Sequence, residues 1–176
     1  MNKYLRNPVS AAVALSLLAF AALPAYAAHP HFKSATGTID SSTHDVSISF
    51  VEVGLGTSTN ETSVGASGTA NVRWECYNNG GNPPSANNAK FKNTSQSVVA
   101  PPQTFPVSGV SGQETASGAL TLDWPANAAP PTSGCPGSTM YWQQISGYWS
   151  NVEVQDTTDG ATASVTLSGT QPFNLP

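Results

Sequence analysis

Apolar and polar side chains alternate along most of this chain, which is the pattern of β-strands that bury one face. In residues 46–50 every second side chain is apolar, and residues 64–77 form a longer extended candidate. In that longer run Val72, Trp74 and Cys76 share one side. Further strands are expected around Phe32, Ala35 and Ile39, around Leu120, Leu122 and Trp124, around Ala161, Ala163, Val165 and Leu167, and more weakly over residues 91–99 and 105–110.

Turn-forming residues separate these runs, and no amphipathic helix of useful length interrupts them. The 176 residues include 15 Gly and 14 Pro, which break the chain into short segments. The number of alternating runs and turn signals predicts an all-β fold. We expect an antiparallel β-sandwich of the immunoglobulin-like type, with about seven to nine strands.

Residues 141–156 carry the most informative pattern. If Ser146-Gly147 forms a two-residue turn, the segments on either side pair as a β-hairpin. Ile145 then lies opposite Tyr148, and both belong to the face that packs on the core.

The same hairpin places Trp142 and Trp149 on its other face, as diagonal neighbours about 7–8 Å apart. Gln144 lies opposite Trp149 and Asn151 opposite Trp142 in this register. Two indole rings flanked by amides suit a sugar, which has an apolar face and a hydroxyl edge. The alternative is that a loop or a neighbouring strand covers the two tryptophans, since Trp is usually largely buried.

The chain has two cysteines, Cys76 and Cys135, which we expect to form one disulfide if the protein is exported. Closing a loop of that length stabilises the fold by about 4 kcal/mol in the chain-entropy model. Two loops rich in turn formers, residues 78–89 and 125–137, adjoin the cysteines and are expected at one end of the fold. Loops gathered at one end often form a binding surface, although the bridge is explained equally well by stability alone.

The N-terminus has the features of a secretory signal peptide. Lys3 and Arg6 precede an apolar stretch at residues 11–23, and Ala25-Tyr26-Ala27 matches a cleavage site. We therefore predict a signal peptide at residues 1–27 and a single β-sandwich domain at residues 28–176. The apolar stretch is shorter than the roughly 20 residues needed to span a bilayer, so no membrane span is expected in the mature form.

The composition narrows the classes of partner. Only 9% of the residues are charged, so most polar side chains of the surface are expected to be the hydroxyl groups of the 22 Ser and 18 Thr. Six Lys and Arg against ten Asp and Glu argue against binding to nucleic acid, which needs cations to meet its phosphates. The apolar share of 39% is too high for a disordered acidic chain.

Several short segments together resemble a family of small secreted bacterial proteins without assigned activity. They are His31-Phe32, residues 46–55 (VSISFVEVGL), residues 76–83 (CYNNGGNP), residues 133–137 (SGCPG) and residues 152–158 (VEVQDTT). The resemblance spans nearly the whole mature domain. It implies export, one disulfide and a β fold, and it implies no catalytic residue.

The start of the mature chain, residues 28–34 (AHPHFKS), is similar to that of periplasmic copper-binding proteins of the CopC type. The resemblance implies copper binding by an N-terminal histidine, but the later Asp-x-His of that family is missing here. His29, His31 and His44 could still gather around copper if the first two strands pair. The simpler interpretation is that these histidines bind no metal and belong to a flexible N-terminal segment.

The sequence gives little support for a calcium site or for a hydrolytic active site. Residues 156–160 (DTTDG) offer oxygen ligands that could hold Ca²⁺, but they lack the EF-hand pattern and a simple hairpin turn explains them better. The chain has no G-x-S-x-G nucleophile elbow, and its histidines all lie within residues 29–44. An enzyme is therefore the less favoured class.

The sequence favours a secreted, non-enzymatic interaction module that binds a glycan or another cell-surface component. The binding residues would be Trp142, Trp149, Gln144 and Asn151, or the loops beside the disulfide. One alternative is a periplasmic copper-binding protein, and another is a surface-coat or structural protein.

Overall fold

The computed structural model describes residues 29–56, 59–83, 90–110, 113–135 and 139–175, so the predicted signal peptide lies outside the described residues. The described residues form nine strands and no helix, which confirms the predicted all-β class. None of these segments is an apolar helix of membrane-spanning length. In chain order the strands are β1 (His31–Ile39), β2 (Val46–Val53), β3 (Glu61–Asn78), β4 (Phe91–Ser108), β5 (Thr115–Leu122), β6 (Met140–Asp156), β7 (Thr162–Ser164), β8 (Thr166–Ser168) and β9 (Phe173–Asn174).

The strands form one sheet in the order β7-β6-β3-β4-β5-β2-β1-β8, with β9 attached to β6. The two ends of this order, β7 and β8, are separated along the chain by Val165 alone. One short segment therefore pairs antiparallel with β6 and parallel with β1. It draws the two edges together, so the sheet is nearly barrel-shaped and is not clearly the predicted immunoglobulin-like sandwich, in which two sheets keep separate edges.

Most of the alternating runs occupy the strands predicted for them. In β2, Val46, Ile48 and Phe50 are buried and the intervening serines are exposed. The early run has its apolar residues three apart, at Phe32 and Ala35, because one extra residue of β1 forms a bulge opposite β2. The bulge restores both side chains to the core side.

The weak runs at residues 91–99 and 105–110 belong to one long strand, β4, rather than to two. Between Ala100 and Gln103 this strand has one residue more than its partner β3, so Pro101 and Pro102 lie within a bulge. Proline is tolerated there because a bulge does not require its missing N–H for the ladder.

The predicted hairpin turn at Ser146-Gly147 is wrong, because β6 runs straight through it and pairs with β3 over its whole length. Ser146 pairs with Arg73, and Gly147 pairs with Val72. Gly147 serves packing rather than a turn: a Cβ at this position would overlap the indole ring of Trp124. β6 has two bulges, at Ile145 and beside Asn151 (φ 50°), and each adds one residue relative to β3. The alternation of inward and outward side chains therefore shifts by one residue at each bulge, and a shift of this kind can be mistaken for a turn.

Trp142 and Trp149 do share one face of this segment, but it is the face that packs on the core and not the predicted outer face. Trp149 lies opposite Ala70 and is only 3% exposed, in the middle of the core. Its Nε1 donates a hydrogen bond to the carbonyl of His44 at 2.8 Å, and its ring meets the edge of Trp124 with 5.4 Å between centroids. Tyr148, predicted to face the core, is instead 48% exposed.

Two carboxyl groups are buried at the end of the sheet where β2 and β6 finish. Glu52 and Asp156 are both fully inaccessible to solvent. Burial, followed by the nearby charge of Asp156, raises the pKa of Glu52 from its ordinary 4.5 to about 8. Glu52 therefore keeps its proton at neutral pH in the folded protein.

This raised pKa predicts that the protein loses stability as the pH rises from about 5 to about 8. The folded state holds the Glu52 proton more tightly than the unfolded state does. Glu52 therefore contributes its full share to the free energy of unfolding below its ordinary pKa, and this share is lost as the pH rises through its raised pKa. The slope for one proton is at most about 1.4 kcal/mol per pH unit. Urea unfolding at several pH values should show a flatter profile for Glu52→Gln, whereas the exposed Glu61→Gln should keep the wild-type slope. Equal slopes for all three proteins would contradict the prediction.

Candidate functional site

A groove of about 810 Å³ opens at the end of the sheet opposite the buried acids. Three segments form its walls: the turn between β1 and β2, the chain that follows β5, and the first residues of β6. We call it the tryptophan groove, because three of the chain's four Trp residues line it. They are Trp74, Trp124 and Trp142, accompanied by Ser42, Thr43, His44, Asp45, Ala126, Asn127, Ala128, Pro130, Gln143, Gln144 and Leu175.

The turn on one side of the groove is held by Asp40. Its carboxylate accepts hydrogen bonds from the Ser42 hydroxyl and from the backbone N–H groups of Ser42 and Thr43, at 2.6–2.8 Å. These bonds, the Ser42 hydroxyl first, lower the pKa of Asp40. The turn also places His44 at φ 64°, with its N–H bonded to the Asp40 carbonyl. The ring of His44 is thereby directed onto Phe173, with 4.2 Å between the stacked rings.

The chain on the opposite side is anchored by the predicted disulfide, which the structure confirms. Cys76 of β3 and Cys135 are joined, with their Cα atoms 5.7 Å apart. Lys92 adds a hydrogen bond from its Nζ to the carbonyl of Ser133 at 3.2 Å. The disulfide ties the end of β3, from which the predicted loop at residues 78–89 leaves, to the predicted loop at residues 125–137; residues 84–89 and 136–137 lie outside the described part of the chain.

Trp142 and Gln144 form the strand side of the groove. Each lies directly opposite an inward-facing residue of β3, Cys76 and Trp74 respectively, and therefore points to the same side of the sheet. Trp142 is half-buried, so its ring is partly open to the groove. Gln144 donates one weak hydrogen bond from Nε2 to the carbonyl of Ala126, at 3.4 Å.

The floor of the groove carries two buried nitrogen atoms without partners. Trp124 is 6% exposed and His44 is 8% exposed. Neither Trp124 Nε1 nor His44 Nδ1 has a hydrogen-bond partner among the described residues. A buried polar atom left unpaired costs about 1–3 kcal/mol, but both nitrogen atoms are closed off from solvent, so a ligand in the groove reaches them only if the lining side chains shift.

The structure brings together only part of the predicted sugar-binding set. Trp142 and Gln144 line the groove, but Trp149 lies beneath it in the core and Asn151 is exposed beyond the second bulge. The predicted pair of neighbouring exposed indoles is therefore wrong. Trp124, which the sequence assigned to a strand, replaces Trp149 at the groove; the proline that follows it was the available sign of a departing loop.

The three histidines proposed for copper do not meet. His29 and His31 lie at the start of β1, where His31 Nδ1 donates to the His29 carbonyl at 2.8 Å. His44 follows the end of that nine-residue strand, roughly 25 Å away at the usual rise per residue. Among the described residues no group of three His, Cys, Asp or Glu side chains is arranged to hold a metal. Of the features of a CopC-type copper site, this chain therefore has only the similar N-terminal sequence.

Residues 156–160, considered for Ca²⁺, form the hairpin turn between β6 and β7. The N–H of Gly160 bonds to the Asp156 carbonyl at 3.0 Å, and the N–H of Thr158 bonds to the Asp156 carboxylate at 2.7 Å. The favoured reading of this segment as a simple turn is confirmed.

The groove offers binding groups rather than an evident catalytic pair. Asp45 is the one carboxylate among its described lining residues, and its Oδ1 accepts a hydrogen bond from the backbone N–H of Trp124 at 2.6 Å. Cleavage of a glycosidic bond normally uses two carboxyl groups, one on each side of the bond. Indole faces and amides are instead suited to holding a polar ligand that has an apolar face.

No protein-family model matches the chain, and no curated protein is similar enough to be matched to it. The resemblance to a family of secreted bacterial proteins therefore stays a prediction.

The different positions of two tryptophans predict different effects on stability. Trp149→Ala should lower the free energy of unfolding by about 3–5 kcal/mol, because it removes a buried ring and leaves a cavity. Trp142→Ala should lower it by less than about 1.5 kcal/mol, because this ring is already partly in solvent. Urea unfolding followed by far-ultraviolet circular dichroism measures both. Equal losses would place the two rings in equivalent surroundings and contradict the structure.

Proposed function

We propose that this protein is an exported carbohydrate-binding module that holds a sugar in the tryptophan groove without cleaving it. The observation that carries the proposal is the half-buried Trp142 ring in the wall of a groove that also carries amide and hydroxyl side chains. A pyranose ring has one apolar C–H face and a rim of hydroxyl groups, which matches this combination of an aromatic wall and polar side chains.

Each polar lining group suits a hydroxyl ligand. Gln144 and Asn127 each offer an amide that both donates and accepts, as a hydroxyl group does. The volume of about 810 Å³ lies within the usual range of small-molecule sites, so the groove has room for a short oligosaccharide.

Export is supported by two features outside the groove. The apolar stretch and cleavage pattern at residues 1–27 have the form of a signal peptide. The Cys76–Cys135 disulfide is typical of proteins in an oxidising compartment, where most polysaccharides of cell surfaces are also found.

The proposal predicts that Trp142→Ala weakens sugar binding by at least about tenfold, which corresponds to 1.4 kcal/mol. The loss follows from the stacking surface that the ring provides. A glycan array identifies the ligand of the wild-type protein, and isothermal titration calorimetry with that ligand measures the variants. Gln144→Ala should also weaken binding, since it removes an amide from the same wall.

Tyr141→Ala is the matched control, because Tyr141 neighbours Trp142 in the chain but is 44% exposed and lies outside the lining of the groove. It should bind as the wild type does. An unchanged affinity for Trp142→Ala, or an equal loss for Tyr141→Ala, would contradict the assignment of the ligand to this groove.

A further inference from the structure

A second groove, of about 480 Å³, lies on the outer face of β3, β4 and β6. Arg73 of β3 lies opposite Asn93 and Ser146, and Asn71 lies opposite Ser95 and Tyr148. Paired residues share a face of the sheet, so these six side chains form one surface. The neighbouring Trp74 points inward to the tryptophan groove, and the two grooves are therefore on opposite faces of the same strands.

The charge of this outer groove is opposite to that of the chain. Arg73 supplies this charge, since Lys92 also lines the groove but pairs with the inward-facing Trp74 and donates from its Nζ to the Ser133 carbonyl. None of the described lining residues is acidic. The whole chain has six basic and ten acidic residues. Glu75 is the next outward-facing residue on β3, but it makes no ion pair with Arg73, and its carboxylate accepts a weak hydrogen bond from Tyr77 at 3.5 Å. The outer groove is thus a local site of positive charge on an acidic protein.

Arg73 is held in place while its hydrogen-bond donors stay available. Its guanidinium lies over the ring of Phe91, 4.4 Å from the centroid. It makes no hydrogen bond or ion pair with another described residue. A guanidinium fixed on an aromatic ring loses little further freedom when it binds an anion, which favours binding.

The polar residues beside Arg73 are also fixed. Ser95 Oγ donates to Asn71 Oδ1 at 2.8 Å, and Asn71 Nδ2 donates to Ser150 Oγ at 2.8 Å. Tyr148 adds a ring that is 48% exposed. The groove therefore combines a rigid cation, an open aromatic face and a row of amides and hydroxyls.

We infer that the outer groove binds a uronic acid residue of an acidic oligosaccharide, with its carboxylate on Arg73 and its ring against Tyr148. The planar guanidinium fork matches the two oxygens of a carboxylate. The amides and hydroxyls beside it match sugar hydroxyls. An acidic peptide fits less well, because a peptide gains affinity from side chains inserted in apolar pockets, whereas most side chains that line this groove are polar. The inference concerns a different ligand and a different face from the proposed function, so either can fail alone.

The experiment is calorimetric titration of the mature protein with trigalacturonic acid and with its methyl ester, which has the same rings and no charge. Titrations in about 0.15 M salt limit the Debye length to about 8 Å, so that distant charges are screened. We expect the acid to bind at least about tenfold more tightly than the ester, as a charge-assisted bidentate contact requires. Arg73→Gln should remove that difference.

Lys33→Gln is the matched control, since Lys33 is an exposed cation on β1 and its loss changes the net charge equally. It should keep the wild-type affinity, and Trp142→Ala should keep it too, because the tryptophan groove lies on the other face. Tyr148→Ala should weaken binding of the acid. Circular dichroism confirms that each variant is folded, which we expect because the substituted side chains are exposed or half-buried.

Three results would overturn the inference. Equal losses for Arg73→Gln and Lys33→Gln would mean that the acid responds only to overall charge. Equal affinities for the acid and the ester would mean that the carboxylate is not recognised. Binding of a polyglutamate peptide without binding of trigalacturonic acid would assign the outer groove to an acidic peptide.

Discussion

The pairing of β3 with β6 is the constraint on which both grooves depend. The two strands are bonded from Val64–Asp156 to Asn78–Met140, and two bulges in β6 decide which of its side chains face inward. The bulge at Ile145 allows both Trp142 and Trp149 to point to the core side, although they are seven positions apart and would otherwise face opposite sides. Without this bulge the two tryptophans would face opposite sides of the sheet, so either the groove wall would lack Trp142 or the core would lack Trp149.

The barrel-like closure gives the two ends of the sheet different chemistry. At one end the disulfide and the Asp40 turn hold the walls of the tryptophan groove, where half-buried and exposed side chains are available to a ligand. At the other end Glu52 is buried near Asp156 and keeps a proton, which makes that end sensitive to pH. Glu52 is sealed within the fold, so its role is energetic.

The sequence predicts the strands well where alternation is uninterrupted, because side chains of a strand face opposite sides with a period of two. β2 and the second half of β3 follow this rule. It fails in β6, where each bulge shifts the period by one residue and Ser146-Gly147 imitates a turn. The errors at Trp149 and Tyr148 concern which face packs on the core, because two alternating faces of similar apolar content give no sign of which one is inside. The alternation predicts that Trp124 is apolar and buried, but only the course of the chain after β5 places it at the groove.

The position of Arg73 beside Trp74 explains how one strand can serve two ligands without compromise. Consecutive side chains of β3 point to opposite faces, so the cation stays out of the apolar groove and the indole stays out of the charged one. The strand itself is fixed on both sides by β4 and β6, and neither face depends on the other for its order. A substitution of an outward-facing residue therefore changes one surface while the backbone that supports the other is unaffected. The two proposed ligands can therefore be tested separately, because the residues that would hold them lie on opposite faces of one strand.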